Sequence, residues 1–464
     1  MIVRRWLIAI PLVLLTGCKV GPNYKRPPVN TPDAYRGLAP DAAAQTNASI
    51  ADEKWWTVFE DQQLQALIHK ALVQNYDVRI AATRVLEAQA QVGITRADQF
   101  PSIYGGASAL EYHIPQTKLL SSTTTSSNSL NLSLAWELDF WGKYRRATEA
   151  ARANLLSTEW GQKAVIWSLV SNVATAYFQL LELDMELDIS KRALTSRQDS
   201  LRLVQVRQRG GRTSMVEVRQ SEQLVYAAAA NIPALEKSIE QQENLISILL
   251  GDNPEPITRG KGLLETQFPP IVPAGLPSSL LERRPDIQSA EQKMVAANAQ
   301  IGVAKAAYFP DISLTAIAAT QSTALTNLFT GPAGAWAFGG QLTQPIFTAG
   351  KIRSNVKLTE AQEQEAVLSY QKSIQQAFRE VSDSLVGYRK NQDVRAQEEL
   401  LTAAAKDTLR LADIRYNGGV TSYLEVLDSD TRYLNAQINL AQAQLNERVA
   451  LVTLYNALGG GWQQ

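Results

Sequence analysis

Few side chains in this 464-residue chain can do covalent or metal chemistry, and they stand far apart. There is one cysteine, Cys18, and there are two histidines, His69 and His113. Cys18 closes Leu15-Thr16-Gly17-Cys18, which resembles a bacterial lipobox. Small residues there open the backbone to a peptidase, and the thiol is the nucleophile that takes a diacylglycerol. Ahead of it, Arg4-Arg5 and the apolar run Trp6 to Leu15 have signal-peptide length and are too short to span a membrane. A chain with no second thiol forms no internal disulfide, so the thiol must serve another purpose. The expectation is a signal peptide over residues 1–17 and a Cys18 that carries diacylglycerol and an N-acyl chain such as palmitate. Lys19 follows, where an inner-membrane retention signal usually has Asp, so outer-membrane sorting is expected.

Beyond that thiol the inventory is poor. No glycine loop for a phosphate and no supported Ser-His-Asp set occurs, and two histidines leave almost no metal or nucleophile chemistry. The expectation is a protein that is not an enzyme and holds no metal or further cofactor. The chain has 45 bases and 45 acids, and loss of residues 1–17 removes Arg4 and Arg5 but no acid. That balance gives no electrostatic footprint for nucleic acid. Carboxylates remain. Glu425 and Asp428, three apart, share a face of any helix they lie on. Alone, such a pair reads as a solvated helix face.

The elements that position these residues occur twice. Gln91-Val-Gly-Ile-Thr-Arg-Ala-Asp-Gln-Phe-Pro-Ser-Ile103 returns as Gln300-Ile-Gly-Val-Ala-Lys-Ala-Ala-Tyr-Phe-Pro-Asp-Ile312, at an offset of 209. Gly142-Lys143 returns as Gly350-Lys351, Gly210-Gly211 as Gly418-Gly419, Glu217 as Glu425 and Gly251 as Gly459, all at 208. A constant register over so many anchors marks an internal duplication. A duplicated chain suggests a duplicated wall, as in a barrel or tube.

Each copy carries one helix longer than a compact domain needs. Residues 143–208 contain no proline and only Gly161, and residues 351–416 also lack proline. At helical rise each stretch is ~100 Å long. In the first, Trp167, Val170, Ala174, Tyr177 and Leu181 form one stripe, and Ile166, Leu169, Val173, Ala176, Leu180, Leu183 and Leu187 form a second. Alternating steps of three and four keep a seam facing a neighbour, as in a coiled coil. Two adjacent seams suit a helix with partners on both sides. Ile374, Phe378, Val381, Leu385 and Tyr388 repeat the pattern. Both helices are expected to end at their glycine pairs, Gly210-Gly211 and Gly418-Gly419, which supply the left-handed turn. The chain then returns over 216–250, where Pro233 should kink the helix, and over 424–458, striped at Leu424, Leu427, Leu434, Ile438, Leu445 and Val452.

Strands precede the long helices. Residues 129–140 alternate, with Leu130, Leu132, Leu134, Trp136, Leu138 and Phe140 on one face and mostly polar residues on the other. About ten such residues suit an outer-membrane strand with lipid on one side and water on the other. Residues 101–114 are the partner strand, and 121–128 read as a Ser/Thr-rich loop. The second copy gives 311–321 and 333–347. Four strands close no membrane barrel, since the smallest use about eight, and open edges are excluded from lipid. Several chains must contribute; three copies give twelve strands, while two or four also fit. Short helices at 77–99 and 286–308 lead into the strands.

With these pieces in place the chain resembles a TolC-like outer-membrane factor of the lipoprotein branch that serves resistance-nodulation-division efflux systems. The resemblance spans about 15–460 and rests on three stretches. They are Cys18-Lys-Val-Gly-Pro-Asn-Tyr-Lys-Arg-Pro27, Leu276-Pro-Ser-Ser-Leu-Leu-Glu-Arg-Arg-Pro-Asp286 and Arg415-Tyr-Asn-Gly-Gly-Val-Thr-Ser-Tyr-Leu-Glu-Val-Leu-Asp428. It implies a mainly α protein with membrane β-strands, an internally duplicated α-helical barrel plus a β-barrel, with four strands per chain and twelve in a homotrimer. The domains expected are a signal peptide at 1–17, a lipidated extended segment at 18–55 and a first repeat at 56–250. A Pro-rich equatorial linker at 251–285 and a second repeat at 286–464 complete them. The resemblance further implies an outer-membrane channel that passively conducts small molecules such as drugs from periplasm to exterior, the activity behind multidrug resistance. Its partners would be outer-membrane lipid, a periplasmic adaptor and an inner-membrane resistance-nodulation-division transporter. Protein secretion, metal-ion efflux or a non-channel envelope scaffold are the alternatives. By motif position the resemblance also places a periplasmic gate at Glu425, Asp428 and Tyr416. Related channels lock with a basic residue where this chain has Thr421, which leaves Arg415 or Arg212 as substitutes.

Overall fold

The computed structural model describes residues 19–37, 49–59, 61–116, 122–263 and 272–462. Cys18 and its lipobox lie outside the described residues. The chain divides into two compact units. One comprises the described parts of 1–28, 84–159 and 289–371, the other those of 29–83, 160–288 and 372–464. Nine α-helices and four strands run among the described residues in the order α1 (Trp55–Val58), α2 (Gln62–Gln74), α3 (Tyr76–Ala97), β1 (Ser102–Ile114), β2 (Thr123–Glu137), α4 (Lys143–Arg209), α5 (Met215–Leu250), α6 (Pro277–Arg283), α7 (Pro285–Ala306), β3 (Asp311–Ser322), β4 (Gly334–Thr343), α8 (Lys351–Asn417) and α9 (Tyr423–Ala457). The two long helices have 67 residues each. Helix, strand pair, long helix and return helix thus recur in the register of the duplication.

The first unit contains the sheet. Its strands pair antiparallel in the order β1-β2-β3-β4, so among the described residues β1 and β4 each keep one unpaired edge. Directly paired residues share a face of a sheet, and the register gathers one apolar face across all four strands. Ile103, Leu134, Ala316 and Phe338 form one row; Gly105, Leu132, Ala318 and Trp336 form the next. The weaker alternation of the second strand pair therefore completes the face begun by β2. Three strand boundaries differ from expectation. β2 begins at Thr123, because Thr123, Thr124 and Thr125 pair with Ile114, His113 and Tyr112. The β-branched threonines extend a strand where their polarity suggested a loop. β2 also ends at Glu137, short of Phe140. β4 stops at Thr343, two residues before Pro345, which has no N–H to offer a ladder.

Beneath the strands, α4 and α7 approach through Ala150, Ala153, Ala296 and Ala299. The segment after Cys18 is fastened to α4. Buried Arg146 donates to the Val20 and Gly21 carbonyls and to Asn23 Oδ1 at 3.0–3.1 Å. Gly21 crosses Gly302 so closely that a Cβ there would stand 2.5 Å from the Gly302 Cα.

In the second unit both expected stripes of α4 are buried at their centres, at Leu169, Val170, Val173, Ala174, Ala176, Tyr177, Leu180 and Leu181. On α8, Ile374, Val381, Leu385 and Tyr388 are likewise buried. α5 continues through Pro233 as one helix. The proline-rich segment is more than a linker, since Pro277 at a first helical turn starts α6. After it, buried Arg284 pairs with Asp286 and Glu380, each at 2.7 Å, donates to the Ala457 carbonyl and lies over the Trp167 ring. The Arg284-Pro-Asp286 motif is therefore a structural clamp.

Candidate functional site

The candidate site lies where each long helix of the second unit turns into its return helix. Both turns are built alike. The N–H of Arg212 donates to the Arg207 carbonyl and that of Val420 to the Arg415 carbonyl, each at 2.9 Å. Gly211 and Gly419 between them adopt φ of +68° and +75°. This is the left-handed helix end for which glycine was expected. Ser214 then caps α5 by accepting from the Glu217 N–H.

Below the turns a small apolar cluster joins the two hairpins: Val204, Val218, Ala412, Tyr423 and Val426, with Tyr416 packed against it. The seam here is shifted by one residue from the expected stripe, since Tyr423 and Val426 are buried while Leu424 is 61% exposed. Bulky Tyr423 occupies the inward position and its hydroxyl donates to Ser221 Oγ at 3.3 Å.

The polar contacts divide unequally between the copies. In the second hairpin Arg415 pairs with Glu425 at 2.9 Å, and the Thr421 hydroxyl donates to the other oxygen of the same carboxylate. Of the two arginines expected to stand in for a basic residue at Thr421, Arg415 is ion-paired, within its own hairpin, whereas Arg212 has no ion-pair partner among the described residues. In the first hairpin the equivalent residues, Arg207 and Glu217, reach across instead. Arg207 donates to Asn417 Oδ1 at 2.7 Å and lies 4.8 Å above the Tyr416 ring, and Glu217 accepts from the Tyr416 hydroxyl at 3.0 Å. Burial raises the Tyr416 phenol above its ordinary range; Arg207 opposes that shift and Glu217 reinforces it. Asp428 faces outward and pairs along its own helix with Arg432 at 2.7 Å. Glu425 and Tyr416 therefore each hold a contact at the tip, but in two separate sets, one inside the second hairpin and one across the hairpins, and Asp428 belongs to neither.

One brace escaped the sequence. Arg197 Nε meets Asp430 Oδ2 at 2.7 Å and Arg197 Nη1 donates to the Leu224 carbonyl, with side chains only 7% and 19% exposed. It ties α4, α5 and α9 together just below the turns. Asp413 of α8 stands close by, its carboxyl raised by burial and by the charge of Asp430. Nothing in the repeat marks Arg197, because its counterpart in the second copy is Ala405.

Among the described residues no group of three or more His, Cys, Asp and Glu stands close enough to hold a metal ion. What the arrangement can do is hold two helical hairpins together through a few breakable polar contacts.

Comparison with known proteins agrees with this architecture. The profile of the family described as "Outer membrane efflux protein" matches residues 67–252 and 276–460, one block for each copy. The chain is 36% identical over 455 residues to the "Cation efflux system protein CusC" of Escherichia coli O6:H1, covering 97% of both chains. It is 38% identical over 463 residues to the "Solvent efflux pump outer membrane protein SrpC" of Pseudomonas putida, again covering 97% of both. Among solved structures, the open state of the Neisseria gonorrhoeae MtrE outer membrane channel matches with a TM-score of 0.86 and 30% identity. That match covers 96% of this chain and 99% of the other.

Proposed function

The chain belongs to the outer membrane efflux protein family, and from that premise we propose that it is the outer-membrane duct of a tripartite pump, closed and opened at its helical tips. It is an outer-membrane efflux channel protein, with the apolar sheet face as its lipid-facing surface. The observation that carries the gating reading is the Tyr416–Glu217 and Arg207–Asn417 pair of contacts, which join the two hairpins at their turns, beyond the apolar cluster that joins them below.

Several features of the pump follow as parts of the proposal. The unpaired edges of β1 and β4 need strands from further copies in lipid, and a homotrimer supplies twelve. Cys18 carries the lipid anchor, directly before the segment held by Arg146. An adaptor and an inner-membrane resistance-nodulation-division transporter supply the drive, since the duct itself holds no energy-coupling chemistry. Relatives are named for cations and for solvents. With two histidines and four methionines this chain offers few soft ligands along a path, so small organic molecules are the proposed cargo.

Glu425, Asp428 and Tyr416 are the proposed gate residues. Each acid has a basic neighbour, so the tip presents the pairs Arg415–Glu425 and Arg432–Asp428 and not bare carboxylates. The test is planar-bilayer conductance of the purified protein beside a Glu425→Ala/Asp428→Ala variant. Small wild-type currents that shift toward anions in the variant, where Arg415 and Arg432 are uncompensated, support the gate. Unchanged selectivity removes these residues from it, and inserted protein without any conductance removes the duct.

A further inference from the structure

The first unit contains a groove of about 540 Å³ that gating does not use. Four cationic side chains line it, Lys19, Arg96, Arg145 and Arg152, against the single carboxylate Glu149. That carboxylate is already taken by Lys19 and by buried Arg146. Arg145 is taken by Asp139 at 3.2 Å. Arg96 and Arg152 have no carboxylate partner among the described residues. Two guanidinium groups therefore face an open groove with their charge uncommitted.

The groove is connected to the base of the apolar sheet face. The indole N–H of Trp136, on the β2 row of that face, donates to the Gln99 carbonyl at 3.1 Å. The Gln99 side chain lines the groove and donates to Thr148 Oγ1 at 2.6 Å. Close by, the Trp141 indole donates to the Pro310 carbonyl and its ring stacks on Phe309 at 4.7 Å. Tryptophans anchored in this way mark the level of lipid headgroups. Phe100 and Ile103, next along the chain, are 57% and 61% exposed, an apolar path beside the cations.

We propose that this groove binds the phosphodiester headgroup of an anionic membrane lipid, with Arg96 and Arg152 as its phosphate ligands and the acyl chains lying along Phe100 and Ile103. Guanidinium forks match phosphate oxygens, and basic pockets at the membrane boundary take up headgroups. The inference rests on the outer-membrane reading of the strands.

The test uses the full-length protein in phosphatidylcholine bilayers containing a small fraction of phosphatidylglycerol. Lipid retained after mild extraction is counted by native mass spectrometry. Phosphatidylglycerol should be retained selectively by the wild type. Its retention should fall about fivefold for each guanidinium lost, hence roughly 25-fold in Arg96→Gln/Arg152→Gln, and should stay unchanged in the exposed control Arg192→Gln. Equal retention by wild type and double variant overturns the proposal. Equally tight binding of glycerol phosphate or inorganic phosphate in detergent overturns the lipid as ligand and leaves a soluble phosphate site. Loss of oligomer in the double variant, with no lipid on the wild type, gives the two arginines to a neighbouring copy. Failure of the wild type to float with vesicles sinks the membrane reading itself, separately from the groove.

Discussion

Removing the Arg197 guanidinium should loosen the helical tips more than any other single change near them. Arg197→Met deletes the partner of Asp430, which keeps only 19% of its side-chain surface in water. Breaking one side of a buried pair costs about 3–5 kcal/mol, because the surviving charge is left without compensation. Two features bring the figure to the lower end. Asp430 retains some solvent, and a cavity of about 40 Å³ beside the pair admits water to it. Asp413 adds repulsion, since its own carboxyl is already raised by burial and by Asp430. A loss of about 3 kcal/mol multiplies the opening constant of the tips by roughly 10². Amide hydrogen exchange around Val204, Val218 and Val426 reads that change directly, and strand amides serve as the internal reference. Replacing both partners, Arg197→Met/Asp430→Leu, should return protection to within about 1 kcal/mol of wild type, because an apolar pair leaves no orphaned charge. Asp413→Asn added to the single variant should recover part of the loss. Exchange that rises less than threefold in Arg197→Met, or a double variant no better protected than the single one, refutes the reasoning.

Three further outcomes are expected. Tyr416→Phe removes only the hydroxyl held by Glu217, a charge-assisted bond worth about 1.5–3 kcal/mol; single-channel recordings should show longer open times, and unaltered gating would take Tyr416 out of the latch. Gly419→Ala meets no steric obstacle but forces a side chain to φ +75°, so exchange at the second turn should rise by an amount equivalent to about 1–2 kcal/mol while the first turn stays unchanged. Burial, with Glu186 beside it, pushes the Glu182 carboxyl up to about 7. Its folded pKa lies above the unfolded one, so the folded state binds more protons between them and stability falls as pH rises toward 7. Glu182→Gln should shrink that slope to the part owed to Glu186, whose carboxyl burial also raises, and should raise stability above neutral pH by up to about 3 kcal/mol, seen as thermal midpoints at about pH 5.5 and pH 8 that draw closer together.

The long helices were legible because their signals are local and repeated. Steps of three and four over many turns, an absence of proline and a closing glycine pair fix α4 and α8 to within a residue of their observed ends. β2 was legible only over its leucines; Thr123–Thr125 pair as strand, although a run of hydroxyl side chains carries the composition of a loop. Tyr416 and Glu425 could be reached through the resemblance, whose tip motif spans a recognisable turn. Arg197 and Asp430 could not, since they are 233 positions apart and meet only when two hairpins from different copies are packed together. Spacing reveals which residues share a helix face, but not which distant face that one will meet. Glu217 was visible as the repeat mate of Glu425, yet its partner Tyr416 lies on the other hairpin.

That divergence gives the chain an internal paralogue. Arg207 and Arg415 descend from one ancestral position, as do Glu217 and Glu425, and the two descendants of each now have different partners. The second hairpin keeps its pair to itself, while the first spends the same residues on its neighbour. Equivalent substitutions in the two copies are therefore different genetic lesions. Arg415→Ala frees a turn that remains fastened from outside, and Arg207→Ala unfastens a turn that is internally sound. Inheritance after the duplication has partitioned a single motif into a brace and a clasp, and each can be altered while its twin serves as the control.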